Sequence, residues 1–330
     1  MRKLFILPTV IAVAALGLIY FTLGAEAFML ASILSVLEVT LSFDNAVVNA
    51  KVLKRMSAVW QQRFLTWGIL VAVVGTRFLL PIIIVAVSAW TSPFAIAVLA
   101  ATDSRAYGVL LEHSHYAISA FGGAFLFMVS LKYFFDQAKE VHWLEILEKR
   151  FSLWGRVEAI EIALVLSALL TVSFLVKGEQ GTILAAGIFG IVLFIAMESV
   201  TQVLDTSLSG LTKNGFALFI YLNILDTAFS LDGVIGAFAL STNLAVIAVG
   251  LGIGAYFVRT MTVYLVRAGT LDSLVYLEHG AHWAIMGLAG AMLLSLVAPI
   301  PEVVIGGIGL CFIGLSYWSS KKEIRKRVLR

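Results

Sequence analysis

Two acidic motifs stand inside long apolar stretches of the chain. Residues 37–45 read LEVTLSFDN and residues 225–233 read LDTAFSLDG, so the leucine, the serine and the second acid coincide. Within each copy two acids lie six positions apart: Glu38 with Asp44, and Asp226 with Asp232. A charged side chain at the centre of a bilayer costs about 2.5–3.5 kcal/mol even on the insertion scale. Four such carboxylates therefore need a compensating partner.

The spacing within each motif limits how its two acids can converge. Six residues of regular helix advance about 9 Å and turn the side chains about 120° apart. The acids of one copy converge only if the helix unwinds between them or if they line two sides of a cavity. Small or polar residues that would permit this, some with oxygens of their own, are Ser42, Asn45, Ser230 and Gly233. Unwound backbone at this depth would also expose carbonyl oxygens as ligands.

Oxygen ligands dominate this set and point to a hard cation. Ser35 and Asn223 add oxygens one turn before the first acid of each copy, whereas the single cysteine, Cys311, lies in an apolar run. Carboxylates without thiolate or mid-span histidine suit Mg²⁺, Mn²⁺ or Ca²⁺, and protons could compete for the same acids. The competing interpretation is structural pairing with Arg77 and Arg259. One arginine for every two acids would leave two carboxylates uncompensated, so we favour a cation site with arginines as counter-charges.

Composition places the chain in a membrane. Of its 330 residues 61% are hydrophobic and 13% charged, whereas a soluble domain carries roughly a quarter charged residues. The sequence predicts an all-α, polytopic membrane protein of about ten helices, each near the roughly 20 residues needed to span a bilayer. The predicted spans are 4–24, 28–50, 65–90, 117–135, 158–176, 181–204, 215–239, 244–266, 283–299 and 302–319. An alternative for the first is a signal peptide cleaved after 25–27 (AEA), although its apolar run is long for one.

Lysine and arginine positions predict the orientation. With the N-terminus in the cytoplasm, most basic residues outside the spans fall on the cytoplasmic side, from Lys51 to the basic tail at 321–330. Arg105 and Lys177 fall outside. This bias predicts cytoplasmic termini and, for a bacterial chain, the inner membrane.

A second sequence match extends the repeat. Residues 111–118 (LEHSHYAI) precede the fourth span, and residues 277–285 (LEHGAHWAI) precede the ninth. The matching spans differ by an odd number, so they cross in opposite directions. We therefore expect two inverted repeats of five helices within one integral membrane domain, as in secondary transporters. The first half covers 1–157, with spans one to four and a cytoplasmic loop, and 158–330 holds the fifth span and the second half.

Polar residues outside the motifs have two interpretations each. The histidines of the second match, His113, His115, His279 and His282, could capture metal at the two faces, although helix-start packing is the favoured interpretation. Carboxylates near span ends could line a pathway or stay solvated: Glu161, Glu198 and Glu302. Apolar residues at helical spacing within 136–157 predict a short amphipathic helix on the cytoplasmic surface.

The acidic motifs resemble those of the TerC-like integral membrane proteins of bacteria, within the LysE-type transporter group. The resemblance rests on Glu-x5-Asp-Asn from Glu38 to Asn45 and Asp-x3-Ser-x-Asp from Asp226 to Asp232, and it covers about half of the chain. It implies Mn²⁺ efflux, an association with tellurium resistance, and ion handling by Glu38, Asp44, Asn45, Asp226 and Asp232. Ser42, Ser230 and Asn223 would be supporting ligands. The chain has Asp226 where the family often has Glu, so Mg²⁺ and Ca²⁺ stay alternatives.

These features predict a divalent-cation transporter, most simply an Mn²⁺ exporter that alternates access around a midplane carboxylate site. We expect the bilayer, the transported ion and protons as partners, with no nucleic acid and no organic cofactor. One alternative is a non-transporting partner subunit that helps to metallate or insert other proteins, supported by the loop 136–157. A membrane-embedded metal-dependent enzyme is less favoured, because the sequence has neither HExxH nor GxSxG.

Overall fold

The computed structural model describes residues 2–207, 211–241, 243–269 and 273–328, and within those ranges it is helical without any β-strand. A 3₁₀ turn at Arg2–Phe5 precedes the first helix, and a π-helix, Val71–Leu79, joins the third to the fourth. In chain order the α-helices of the described residues are α1 Ile6–Leu41, α2 Phe43–Lys54, α3 Ala58–Leu70, α4 Leu80–Ser88, α5 Pro93–Thr102, α6 Ser104–His113, α7 His115–Phe135, α8 Glu145–Trp154, α9 Ile160–Leu175, α10 Gln180–Ser207, α11 Leu211–Leu240, α12 Leu244–Arg267, α13 Leu277–Ser295 and α14 Glu302–Val328.

Several helices have the length and composition of membrane spans. Within the described ranges four qualify: Ile6–Thr40, His115–Phe135, Gln180–Ser199 and Leu244–Arg267. Shorter apolar helices lie at Pro93–Thr102, Ile160–Leu175 and Gly215–Phe229. Large apolar side chains face outward, among them Phe21 (86% exposed) and Phe174 (78% exposed), as lipid contact requires. The expectation of an all-α, membrane-type chain is confirmed, whereas the number of spans stays a prediction.

The first two predicted spans are separated by a kink in the structure. Helix α1 spans Ile6–Leu41, but Gly24 has non-helical backbone angles (φ 89°, ψ −179°), so α1 consists of two helical segments that meet where the first predicted span ends. That left-handed backbone conformation favours glycine and lies next to the predicted boundary at 25–27. The second predicted span is further divided at Ser42, where φ −98° and ψ 15° separate α1 from α2.

The third predicted span is also divided. It passes from α3 through the π-helix into α4. Pro81, the second residue of α4, has no backbone N–H, so the preceding turn cannot keep regular α-helical bonding. A π-helix is one way in which the chain absorbs such an interruption, and π segments occur frequently at functional sites. This one contains Arg77.

Helix packing brings the two acidic motifs together. Helix α1 lies along α12, and α11 packs against the π-helix and α3, while α2 contacts α11, α12 and α13. Helix α7 is flanked by α10 and α13, and α13 packs in turn on α14. The largest buried apolar cluster lies between α7, α9, α10 and α13 and includes Phe125, Leu169, Ile183 and Met292. Residues of α2 and α11 also belong to this cluster, so two of the helices that bear the acids pack on it.

Candidate functional site

Glu38 forms a buried ion pair with the arginine of the π-helix. Its side chain lies near the end of α1 and is 3% exposed, and Arg77 is 4% exposed. Arg77 Nη2 contacts Glu38 Oε1 directly, and its Nη1 donates a 2.9 Å hydrogen bond to the carbonyl oxygen of Ala72. Ser42 Oγ donates to the same carboxylate oxygen at 3.1 Å. The serine at the break between α1 and α2 therefore supports the first acid.

Asp226 forms the corresponding pair in the second motif. Arg259 Nη2, on α12, lies 2.8 Å from Asp226 Oδ2 and donates at 3.1 Å to Oδ1 of Asn223. The guanidinium of Arg259 also stacks over the ring of Phe64 at 4.3 Å, a favourable cation–π arrangement. In each motif, then, the first acid is paired with an arginine that lies 39 or 33 positions further along the chain.

Asn45 connects the two motifs. Its Nδ2 donates a 2.7 Å hydrogen bond to Asp226 Oδ1, and the asparagine side chain is fully buried. Gly233, which occupies the matching position of the second motif, lies against Glu38: a Cβ added there would be 3.2 Å from Glu38 Oε2. The ninth position of each motif therefore faces the second position of the other.

Two further glycines let the charged groups approach neighbouring helices. A Cβ at Gly254 of α12 would lie 2.4 Å from Cβ and Cγ of Glu38, and one at Gly68 of α3 would lie 2.5 Å from Arg259 Nη1. Gly250 stands one turn before Gly254 and meets Leu34 in the same way. This is the small-residue packing through which membrane helices approach closely. It places α1 with Glu38 directly on α12.

Asp44 differs from the two paired acids. It lies in the first turn of α2, is 3% exposed and accepts the backbone N–H of Asn45 at 2.8 Å. Among the described side chains no lysine or arginine lies within ion-pair distance of it. Its Oδ2 points toward Gly309 of α14, where an added Cβ would be 3.7 Å away. A buried carboxylate of this kind requires a proton or a bound cation.

Two amide oxygens on α2, the helix of Asp44, also lack partners. Asn45 Oδ1 and Asn49 Oδ1 are buried and accept no hydrogen bond from any described group. The two asparagines are four residues apart on α2, so they share one face of the helix. An unsatisfied buried acceptor costs about 1–3 kcal/mol, which a ligand that uses it would recover. Asn49 was not among the residues predicted from the sequence, although its spacing of four from Asn45 places both on one helix face.

The predicted ligands are only partly brought together. Glu38, Ser42, Asn45, Asn223 and Asp226 join the two ion pairs, so the pairing interpretation holds for the first acid of each motif. Ser35 Oγ instead donates to the carbonyl oxygen of Ala31 at 2.8 Å. Within the described residues, the acidic motifs included, no three His, Cys, Asp or Glu side chains are grouped as a metal site. The side chains of Ser230, Asp232 and Glu302 lie outside the described part of the structure.

The histidines on α7 and α13 are engaged in packing contacts. His115 lies 3.2 Å from Ser119 Oγ through Nδ1 and 3.3 Å from Ser295 Oγ through Nε2. His282 stacks on the ring of Tyr133 with centroids 3.6 Å apart, and its Nδ1 lies 2.9 Å from the carbonyl oxygen of Glu278. These contacts agree with the helix-packing interpretation.

Glu148 organises the connecting segment between α7 and α9, and nothing in the sequence distinguished it from a solvated charge. It is fully buried on α8, and its oxygens lie 3.1 Å from Lys139 Nζ, 2.8 Å from His279 Nδ1 and 3.0 Å from Trp283 Nε1. Burial raises the pKa of Glu148, but the hydrogen bond and charge of His279 and the charge of Lys139 outweigh it and lower that pKa to about 2. The predicted amphipathic helix is thus tied to α13 through a carboxylate.

The comparisons with known proteins identify a family. The family model described as "Protein of unknown function (DUF475)" matches residues 43–327, which include the second motif, Arg77, Arg259 and the part of the first motif from Phe43 to Asn45. No curated protein and no solved structure matches the chain. Because the match covers well over half of the sequence, the chain belongs to the DUF475 family.

Proposed function

We propose that this chain transports a divalent cation across the bacterial cytoplasmic membrane, with Mn²⁺ as the favoured ion and export as the favoured direction. The observation that carries the proposal is the surrounding of Asp44. Its carboxylate is buried without a described counter-charge, and the same helix carries the unpartnered amide oxygens of Asn45 and Asn49. Mn²⁺ and the export direction rest on the resemblance of the motifs to TerC-like proteins.

The donor set suits a hard divalent ion. Asp44, Asn45 and Asn49 offer carboxylate and amide oxygens within the first two turns of one helix, and Mg²⁺, Mn²⁺ and Ca²⁺ all prefer oxygen ligands. Three such groups leave coordination positions for water and for further acids. Asp226 is the nearest candidate, because Asn45 already contacts its Oδ1.

The arginine pairs suggest how the acids could exchange an arginine for a transported cation. Glu38 and Asp226 are neutralised by Arg77 and Arg259 in this conformation. A cation that approaches either acid can replace the arginine as the counter-charge of that acid. Removing one member of a buried pair costs about 3–5 kcal/mol when nothing replaces it. Coupling of cation arrival to arginine release would therefore link ion binding to helix movement.

The helix arrangement supports alternating access between inverted repeats. The first motif packs on α12, which carries the arginine of the second motif, and α11 packs on the π-helix, which carries the arginine of the first. Each repeat thus packs against the arginine-bearing segment of the other. In transporters of this architecture one repeat moves against the other around a site at their interface.

Transport should be tested in proteoliposomes. We would measure uptake of Mn²⁺, Mg²⁺, Ca²⁺, Zn²⁺ and Fe²⁺ with an internal pH-sensitive dye, for the native chain and for Asp44→Asn. Loss of the carboxylate charge should slow flux at least about tenfold, the factor equivalent to about 1.4 kcal/mol. Asn49→Leu should also slow the flux. Glu145→Gln is the matched control, because Glu145 is exposed on α8 and pairs with Lys149 there.

The outcomes separate the proposal from its alternatives. Selective flux of one ion that both α2 variants reduce, with unfolding curves unchanged, would support the site and name the ion. Flux of no divalent cation by well-folded native protein would overturn the proposal and favour the partner-subunit hypothesis. In that case the exposed apolar face of α8, with Ile146 76% exposed, becomes the surface to examine.

A further inference from the structure

A cavity of about 700 Å³ opens at the end of the helix bundle where α2 meets α11. The charge distribution of the sequence assigns all its charged lining residues to the cytoplasmic side. A water molecule occupies about 30 Å³ in the liquid, so the cavity accommodates a cation together with its hydration shell. The charged lining residues are Lys51, Arg55, Lys132, Asp136, Glu161 and Glu198.

The walls of this cavity do not repel a cation. The charged lining residues are three basic and three acidic groups, and the lysines are engaged by carboxylates. Lys132 Nζ lies 3.0 Å from Glu198 Oε1, and Lys51 forms an ion pair with Glu278. The lining therefore has no excess positive charge, and Asp136 and Glu161 are carboxylates that can attract an incoming metal ion. This agrees with the pathway interpretation of the glutamates at span ends.

The inner end of the cavity lies directly next to the acidic motifs. Val48 of α2 and Tyr221 of α11 line it. Asn45 precedes Val48 by three residues and Asp226 follows Tyr221 by five, so both lie about 5–8 Å deeper along their helices. At that level the 2.7 Å hydrogen bond from Asn45 Nδ2 to Asp226 Oδ1 joins α2 to α11. Both side chains are buried, with 0% and 4% exposure.

We infer that this cavity is the cytoplasmic vestibule through which a hydrated divalent cation reaches Asp44, and that the Asn45–Asp226 hydrogen bond is the gate at its inner end. The inference rests on the proposed function and deepens it. The bond ties together the two helices between which an ion must pass, and the group that accepts it is itself a candidate ligand. An ion that coordinates Asp226 removes the acceptor from Asn45, so arrival of the ion opens the gate. Glu38 and Gly233 lie on the far side.

Cysteine accessibility tests the vestibule and the gate without any metal. In a Cys311→Ser background, cysteines are placed at Gln137 on the rim, at Val48 on the inner wall and at Gly233 beyond the gate. A membrane-impermeant, positively charged methanethiosulfonate is applied from the cytoplasmic side of oriented membranes. We expect Gln137→Cys and Val48→Cys to react and Gly233→Cys to stay protected. Adding Asn45→Ala should speed labelling of Gly233→Cys by about tenfold or more, as the loss of a hydrogen bond to a charged group implies.

Each outcome decides the inference. Protection of Val48→Cys while Gln137→Cys reacts would overturn the vestibule. Equal labelling of Gly233→Cys with and without Asn45, whether fast or slow, would overturn the gate. Ser42→Cys is a second deep position if Gly233→Cys does not fold, since Ser42 Oγ lies 3.1 Å from Glu38 Oε1. Because no ion is present, the predicted labelling pattern in a chain without flux would overturn the proposed function and leave the gate standing.

Discussion

Glu38 and Gly233 face each other across the boundary between α1 and α11, so closely that a Cβ on the glycine would lie 3.2 Å from Oε2 of the glutamate. The matching pair, Asp226 and Asn45, is joined by a side-chain hydrogen bond of 2.7 Å. The two relationships are equivalent in sequence position but differ in bonding, because glycine has no donor to offer. The contact between Asn45 and Asp226 is therefore hydrogen-bonded, whereas the equivalent contact between Gly233 and Glu38 is not.

Replacing Gly233 with asparagine should add the missing hydrogen bond to Glu38. The new amide can donate to Glu38 Oε2 once that oxygen moves by a few tenths of an ångström, and hydrogen bonds to charged groups contribute about 1.5–3 kcal/mol. We expect Gly233→Asn to unfold at a higher temperature than Gly233→Ala, which adds the Cβ without the donor. We also expect slower cation flux, because hydrogen bonds would then join the two motifs at both contacts. An asparagine variant no more stable than the alanine variant would contradict this pairing.

The Asp226–Arg259 pair should show strong energetic coupling. Arg259 is 1% exposed, and its Nη2 also donates to Asn223. Arg259→Gln alone strands the carboxylate and Asp226→Asn alone strands the guanidinium, so each should cost about 3–5 kcal/mol of unfolding free energy. The double variant removes both charges and should be less destabilised than the sum by about 0.5–3 kcal/mol. Denaturant unfolding of the four proteins in one detergent measures this cycle, and additive losses would refute the coupling.

Gly254 should be intolerant of a side chain. An alanine Cβ would lie 2.4 Å from Cβ and Cγ of Glu38 and 3.2 Å from the carbonyl oxygen of Ser35, so α1 must move away from α12. Overpacking of this kind costs about 1–3 kcal/mol. The control is Gly290→Ala on α13, where nothing lies within 4 Å of the added Cβ. Thermal unfolding and flux should both fall in Gly254→Ala and stay near native in Gly290→Ala.

Sequence reasoning located the motifs, the long apolar helices and the two arginines that could act as counter-charges, but not which acid each arginine contacts. The sequence left two ways for the acids of one motif to converge, unwinding of the helix or a shared cavity, and in the structure α1 gives way to α2 at Ser42, between Glu38 and Asp44. The choice of partner is not local. Arg77 reaches Glu38 from 39 positions away, and Asn45 reaches Asp226 from 181 positions away.

Two other features had no reliable pattern in the sequence. The packing of α1, which is kinked at Gly24, along α12 joins distant parts of the chain, and hydropathy does not predict it. Glu148 lies among charged residues, so it appears solvated until α13 brings His279 and Trp283 against it. Tertiary contacts decide both cases.

Glu148 should make stability depend on acid pH. Its folded-state pKa of about 2 is below the unfolded value of 4.5, so its contribution is complete above about pH 4.5 and is lost as the pH falls toward 2. Glu148→Gln strands Lys139 and His279 and should cost about 3–5 kcal/mol at neutral pH. The same substitution should also reduce the loss of stability that occurs as the pH falls from 4.5 to 2. Thermal unfolding across that range measures both effects, with Glu145→Gln on the exposed face of α8 as the control. An equally steep decline in Glu148→Gln would assign the acid sensitivity to other carboxylates.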